Sequence, residues 1–155
     1  MSRPKKMRSV QHPPLIADFK PTGIRASELE PLDLALDEFE AIRLADFQGL
    51  DHAESAEQMG ISRPTFSRLI DQARRKLATF LIEGRHLRIE GGDIHFQRNM
   101  IRCQGCGHLF NTALDAEMEK CPHCGSHHLV DLAGGHGHGR CCRSFHQHSR
   151  RNRHA

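Results

Sequence analysis

The chain has 155 residues, no Trp or Tyr, 37% hydrophobic residues and a formal net charge of +3. That length holds one ordinary domain or two small ones with tails, and so thin an apolar content favours small domains that need a staple. No run approaches the roughly 20 apolar residues of a membrane span, and Met1-Ser2-Arg3-Pro4-Lys5-Lys6 has no apolar segment behind it, so neither a membrane nor a secreted protein is expected. A cytoplasmic location follows as the expectation, and in that reducing compartment six cysteines read as metal ligands rather than disulfides.

Charge is segregated along the chain. Residues 1–26 carry six Lys/Arg against one Asp, and residues 27–60 carry ten Asp/Glu against Arg43 alone. Residues 61–90 return to seven Lys/Arg against three acids, and residues 132–155 have five Arg and no acid. Such alternation suits one face for a polyanion and another that is solvated or meets a basic partner.

The first segment, 1–26, is basic and contains Pro13-Pro14. Proline lacks an amide donor and resists helix, so an extended arm is expected. A helical stretch is expected from near Ser27, strengthening at Asp37-Glu38-Phe39-Glu40, where Asp37 and Glu40 have capping-box spacing. Phe39, Ile42, Leu44 and Ala45 supply its apolar face through to Phe47, and Gly49 ends it. Asp51-His52-Ala53-Glu54 is a second capping box, opening a short helix through Met59. Gly60 can take positive φ, Ser62 is a good N-cap, and Pro64 sits in a first turn where its missing N–H is harmless. Phe66, Leu69, Ile70, Ala73, Leu77 and Phe80 or Leu81 then keep a helical period to Gly84. Beyond it, Leu87-Arg88-Ile89-Glu90 and Ile94-His95-Phe96 alternate around Gly91-Gly92, which predicts a hairpin.

Helix, glycine turn, helix is the order of a DNA-binding helix-turn-helix. Ala56 would fill the close crossing, Gly60 the turn, and Ile61, Phe66 and Leu69 the contact between helices; Ser55 departs from the usual apolar residue before that alanine. A recognition helix over about 63–80 would place Arg63, Thr65, Ser67 and Arg68 near base edges in the major groove, with Arg68 the best guanine reader. Ser62 and the free N–H groups beside it could hold a phosphate. Arg74 and Arg75, with Arg3, Lys5 and Lys6 of the arm, are the other phosphate candidates.

These residues carry a resemblance. Phe39 to Leu77, with Glu40-Ala41-Ile42-Arg43-Leu44, Gly49-Leu50, Gly60-Ile61-Ser62 and Ala73-x-x-Lys76-Leu77, resembles region 4 of bacterial sigma factors. Arg3 to Gly92 resembles more closely an uncharacterised prokaryotic family of short, predicted DNA-binding proteins. The matching motifs are Arg3-Pro4-Lys5-Lys6-x-Arg8, Phe19-Lys20-Pro21-x-Gly23-Ile24, Leu36-Asp37-Glu38-Phe39-Glu40-Ala41-Ile42-Arg43-Leu44-x-Asp46, Met59-Gly60-Ile61-Ser62-Arg63-Pro64-Thr65-Phe66 and Leu87-Arg88-Ile89-Glu90-Gly91-Gly92. The resemblance implies a sigma-region-4-like helix-turn-helix and transcriptional regulation. It says little about the chain beyond Gly92.

In that remaining part, Cys103-x2-Cys106 and Cys121-x2-Cys124 stand 14 residues apart, each pair trailed by glycine (Gly107, Gly125). A tight turn after each first cysteine aims two sulfurs at one ion, and two such turns complete a tetrahedral four-thiolate site. A closed site of this kind is structural; zinc is expected, with iron as in rubredoxin the alternative, and His108, His123, His127 and His128 are bystanders. In the last segment His136, His138, Cys141 and Cys142 could bind a second ion, or the segment could serve only as a cationic extension.

The expected architecture is therefore mainly α with a small β part. It comprises a basic arm (1–26), a helix-turn-helix (27–92), a four-cysteine zinc ribbon (93–131) and a disordered Gly/His/Arg/Cys tail (132–155). The expected function is sequence-specific binding of double-stranded DNA by a transcriptional regulator, with a homodimer or RNA polymerase as partner. The alternatives are a protein-interaction module of the transcription machinery, using the acidic helix at 37–46, and a metal-responsive or metal-carrying protein using the His/Cys tail. No nucleophile–base pair, carboxylate dyad or phosphate-binding glycine loop stands out, so no enzyme is expected.

Overall fold

The computed structural model describes residues 7–138 and Cys142. Contacts divide the chain into two compact units, Met1–Val10 with Ile16–Ile94, and Gln11–Leu15 with His95–Ala155. A helical core and several strands in three small sheets make up the fold. No helix among the described residues is long and apolar enough to cross a membrane.

In the first unit, strand β1 (Arg8–Val10) and strand β2 (Asp18–Phe19) precede a 3-10 turn at Ala26–Glu28 and strand β3 (Pro31–Leu34). The helical stretch expected from near Ser27 is thus a single 3-10 turn that does not continue into α1; Pro31 and the alternation of Leu32 and Leu34 favour a strand between them. Helix α1 spans Leu36–Ile42 and runs into a π-turn at Arg43–Phe47. Its N-terminus is held by Glu38, whose Oε1 accepts the Ala35 N–H at 3.0 Å, rather than by the Asp37/Glu40 box.

Helix α2 (His52–Met59) starts where expected, with the Asp51 carboxylate accepting the Glu54 N–H at 2.8 Å. It ends at Gly60, which has φ +67°. Helix α3 (Arg63–Glu83) is capped by Ser62, which accepts the Thr65 N–H, and stops at Gly84. Its buried face is Phe66, Leu69, Ile70 and Ala73. The first three of these pack with Ala41, Leu44, Ala56 and Met59. Burying a side chain such as Phe66 contributes roughly 1.5–3 kcal/mol, so this cluster is the main hold on the helices.

The inner face of α1 differs from expectation. Leu36, Ala41 and Leu44 are buried, with Asp37, Glu38 and Glu40 beside them, whereas Phe39, Ile42 and Ala45 are half-buried and Phe47 is 84% exposed. The acids can lie inward because each has a cation: Arg8 for Asp37, Lys76 for Glu38, Arg43 for Glu40.

Strand β4 (His86–Ile89) pairs antiparallel with β2 and parallel with β3, matching Leu34 with Ile89. With both edges of β4 filled, the expected hairpin across Gly91-Gly92 does not form, and strand β5 (Ile94–Phe96) belongs to another sheet. Gly92 instead lets the chain pass the start of α1, where a Cβ would stand 3.1 Å from Asp37 Oδ1.

In the second unit, strand β6 (Asn99–Cys103) is the centre of an antiparallel sheet, flanked by strands β7 (Leu109–Thr112) and β8 (Leu129–Asp131). Asn99 ties its end: the amide donates to Asp131 at 2.6 Å and accepts the Ala133 N–H at 3.0 Å. Residues 132–135, which composition assigns to a disordered tail, form a helical turn, α4 (Leu132–Gly135), capped by the Asp131 carboxylate. A local Asx cap and a buried Ala133 supply the order that composition does not reveal.

Candidate metal centre

The two cysteine pairs are built alike. Cys103 lies at the end of β6, and its carbonyl accepts the Gly107 N–H at 2.9 Å; the Cys121 carbonyl accepts the Gly125 N–H at the same distance. Gly107 and Gly125 have φ +77° and +76°, a conformation L side chains rarely adopt, so each turn needs its glycine. The turns bring together the four sulfurs, all within 4.8 Å of one another. Cys103 Sγ and Cys124 Sγ are 3.5 Å apart, and Cys106 Sγ and Cys121 Sγ 3.7 Å. Four thiolates about 2.3 Å from a central ion would be about 3.8 Å apart at the corners of a tetrahedron. The first cysteine of each pair is buried and the second exposed. The His123 N–H points at Cys121 Sγ from 3.4 Å, as donors around a metal thiolate do.

As bare thiols, Cys103, Cys106 and Cys124 are pulled in different directions. Cys103 is drawn down to about 6, first by the backbone N–H of Cys106 and with help from the Cys124 thiol. Cys106 is pushed up to about 12: the His108 N–H favours its thiolate, but burial and the neighbouring sulfurs outweigh it. Cys124 is also raised, despite the Ser126 N–H, by the Cys103 sulfur and burial. A cation at the centre removes that conflict by favouring all four thiolates.

His108 and His123 stack on each other at 5.4 Å and do not join the sulfur cluster, and the His127 ring meets the Glu119 carbonyl. Of the tail candidates, Cys141 lies outside the described residues. His138 and Cys142 come together with His95, their ligand atoms within 4.8 Å, while His136 is placed beside the Phe96 ring. Burial lowers the pKa of His138. His95 carries no signal in the sequence; it sits on a strand far from any ligand-like spacing, and only the fold reveals it.

The residues assigned to DNA are distributed through the first unit. Arg3, Lys5 and Lys6 lie outside the described residues. Ser62, Arg63, Arg68, Arg74 and Arg75 belong to α3 or its cap and are all exposed. Thr65 and Ser67 are half-buried, Thr65 meeting the Ser62 hydroxyl at 2.8 Å and Ser67 the His52 ring at 2.9 Å. Arg74 is held by Asp46 at 2.7 Å, whereas Arg63, Arg68 and Arg75 make no ion pair among the described residues.

Fold and site together define a small two-unit protein with a four-cysteine centre capable of coordinating a metal ion. The chain belongs to the family described as "Protein of unknown function DUF134", whose profile matches residues 1–97. It is 48% identical over 132 residues to a UPF0251 protein of Chloroherpeton thalassium, covering 85% of this chain and 87% of that one. It is 43% identical over 151 residues to a UPF0251 protein of Moorella thermoacetica, covering 97% and 96%. No solved structure gives a significant match. The family profile ends before Cys103, so it does not describe the cysteine centre.

Proposed function

We propose that this chain is a metal-binding protein in which Cys103, Cys106, Cys121 and Cys124 hold one structural zinc ion. The observation that carries this is the convergence of the four sulfurs from two like turns. Four thiolates leave no position for water or substrate, so the ion serves the fold of a unit with few large apolar side chains. The shortage of aromatic residues around the site favours zinc over iron. Elemental analysis of the purified chain tests the reading: zinc near one equivalent supports it, iron with visible absorbance gives a rubredoxin-like site, and no metal in a folded, reduced chain overturns it.

A second reading joins the first unit to the metal centre: a zinc-containing transcriptional regulator that binds double-stranded DNA through α3. Its support is the α2–turn–α3 order, with its cap at Ser62, and the exposed Arg63, Arg68 and Arg75, which no carboxylate among the described residues neutralises. Arg68 and Arg75 are seven residues, about two turns, apart on one exposed stripe, with Asp71 between them. Inward-facing, paired acids on α1 leave less charge for a basic protein partner, which favours DNA over an acidic docking module. A single module buries only about 600–1,000 Å² on DNA, so a homodimer or RNA polymerase would complete the contact. Selecting bound sequences from a random DNA pool at stated salt tests it. Arg68→Ala should then cost about 1–3 kcal/mol and relax preference at one base, while Arg75→Ala weakens all sequences alike. Wild-type affinity in both variants would remove α3 from the groove.

A further inference from the structure

We propose that His95, His138 and Cys142 form a second metal site, with an open coordination position, for a borderline divalent transition-metal ion such as zinc, cobalt or nickel. The site stands apart from the four-cysteine centre and shares no ligand with it.

The ligand atoms come from three separate places in the second unit. His95 lies on the strand before β6, His138 just past α4, and Cys142 four residues further on. One ligand atom from each lies within 4.8 Å of the other two, and Cys142 Sγ is 3.5 Å from His138 Nδ1. Metal–sulfur and metal–nitrogen bonds of about 2.3 and 2.0–2.1 Å at a tetrahedral angle put sulfur and nitrogen about 3.5 Å apart. The spacing already suits the ion.

Local structure fixes these side chains. His138 is placed by the turn that ends α4, in which its N–H bonds to the Ala133 carbonyl at 3.0 Å and Gly137 takes φ +75°. That is the six-to-one bond of a Schellman stop, with its glycine in the left-handed position. The His138 ring then packs edge-on to Phe96 at 5.3 Å.

A buried cysteine by itself is an ordinary small apolar side chain. Cys142 differs in two respects. The Phe96 N–H donates to its sulfur at 3.1 Å, the kind of donor that favours a thiolate and recurs around metal-bound sulfur. Two imidazoles also meet it from separate elements, and neutral imidazole with thiolate is the donor set that borderline ions prefer. Cys142 is fully buried and both histidines are half-buried, so access is from the imidazole side.

The three ligands among the described residues leave a fourth position for water or a ligand from outside. This gives the two centres different roles. A closed four-thiolate centre retains its ion, whereas an open three-ligand site exchanges with the metal in its surroundings. Loading it would cross-link the Phe96 strand, the end of α4 and Cys142, and emptying it would remove that cross-link. The chain would thus answer to metal supply through its C-terminal segment.

Cobalt(II) titration of the full-length chain tests this, because absorption separates a four-thiolate site from one with a single thiolate. Wild type should take up two equivalents, the weaker removed by a mild chelator. His95→Ala and His138→Ala should each lose that weaker equivalent and keep the four-thiolate spectrum. A wild-type chain that fills the two-histidine site but shows no four-thiolate spectrum would mark failure of the four-cysteine centre, so failure of one site is told apart from failure of the other. His95 lies outside the histidine-rich tail, so an undiminished second equivalent in His95→Ala would assign the metal to tail histidines and overturn the proposal. Uptake of the four-thiolate equivalent alone by wild type would overturn it as well. NMR signals of β6, β7 and β8 report whether each variant is folded, and His138→Ala decides if His95→Ala is not.

Discussion

The Nζ of Lys76 lies 2.7 Å from Oε1 of Glu38, joining α3 to α1 through a carboxylate that is 4% exposed. Lys76 also donates to the Asp33 carbonyl at 2.9 Å, so one ammonium ties the long helix to α1 and to β3. Lys76→Met should lower stability by about 1–3 kcal/mol, because it leaves a buried carboxylate without its cation. Adding Glu38→Gln should restore part of that loss, since an amide costs less to bury than a charge. Urea denaturation of the single and double variants checks both steps; an unchanged midpoint in Lys76→Met would show that the pair contributes nothing.

Ser55 is fully buried on α2, and its hydroxyl has no hydrogen-bond partner among the described residues. An unsatisfied buried hydroxyl costs about 1–3 kcal/mol, and alanine is the better helix former. Ser55→Ala should therefore raise the unfolding midpoint, by an amount worth about 1 kcal/mol. A lower midpoint would mean that the hydroxyl has a partner, such as bound water.

Asp46 is held below the ordinary carboxylate range, first by its hydrogen bond from Arg74 and then by the charge of that guanidinium, with burial opposing both. A carboxylate lowered in the folded state stabilises above its unfolded value and loses that contribution as pH falls through the folded one. Both partners are more than a third exposed, so the pair is worth no more than about 0.2–1 kcal/mol. Wild type should exceed Asp46→Asn in stability near neutral pH, and the gap should close in acid below the carboxylate range. A gap that persists there would exclude the ion pair as its source.

Removing metal should affect the two units differently. With a strong chelator, or in Cys106→Ser, backbone NMR signals of β6, β7 and β8 should collapse while those of 36–83 persist. The first unit keeps the Phe66, Leu69, Ile70 and Met59 cluster whatever happens at the sulfurs. Loss of both sets together would show that the helical unit also depends on the metal.

The features legible in the sequence are those that chemistry fixes locally. Asp51, Gly60, Ser62 and Gly84 mark helix ends because capping and positive φ involve residues within a turn of one another. The cysteine turns are legible for the same reason, since each needs two sulfurs and one glycine. The inward acids of α1 are not, because Glu38 finds Lys76 38 residues away and Asp37 finds Arg8 29 residues away. Periodicity ranks Phe39 above Glu38 as a core residue and takes no account of a distant cation. His95 escapes notice on the same ground: its companions are tertiary neighbours, not sequence neighbours.

The order β2-β4-β3 has a consequence for how the chain is made. Synthesis runs from the N-terminus, so β2 and β3 leave the ribosome long before β4, the strand both must pair with. Until then each shows a bare edge, which invites pairing with other chains. Shortness limits the hazard: β2 has two residues and β3 four, and β3 begins with Pro31 and carries Asp33. Proline and charge are the usual guards of an exposed edge. The three helices between β3 and β4 can meanwhile form from near neighbours, and the sheet closes over them last.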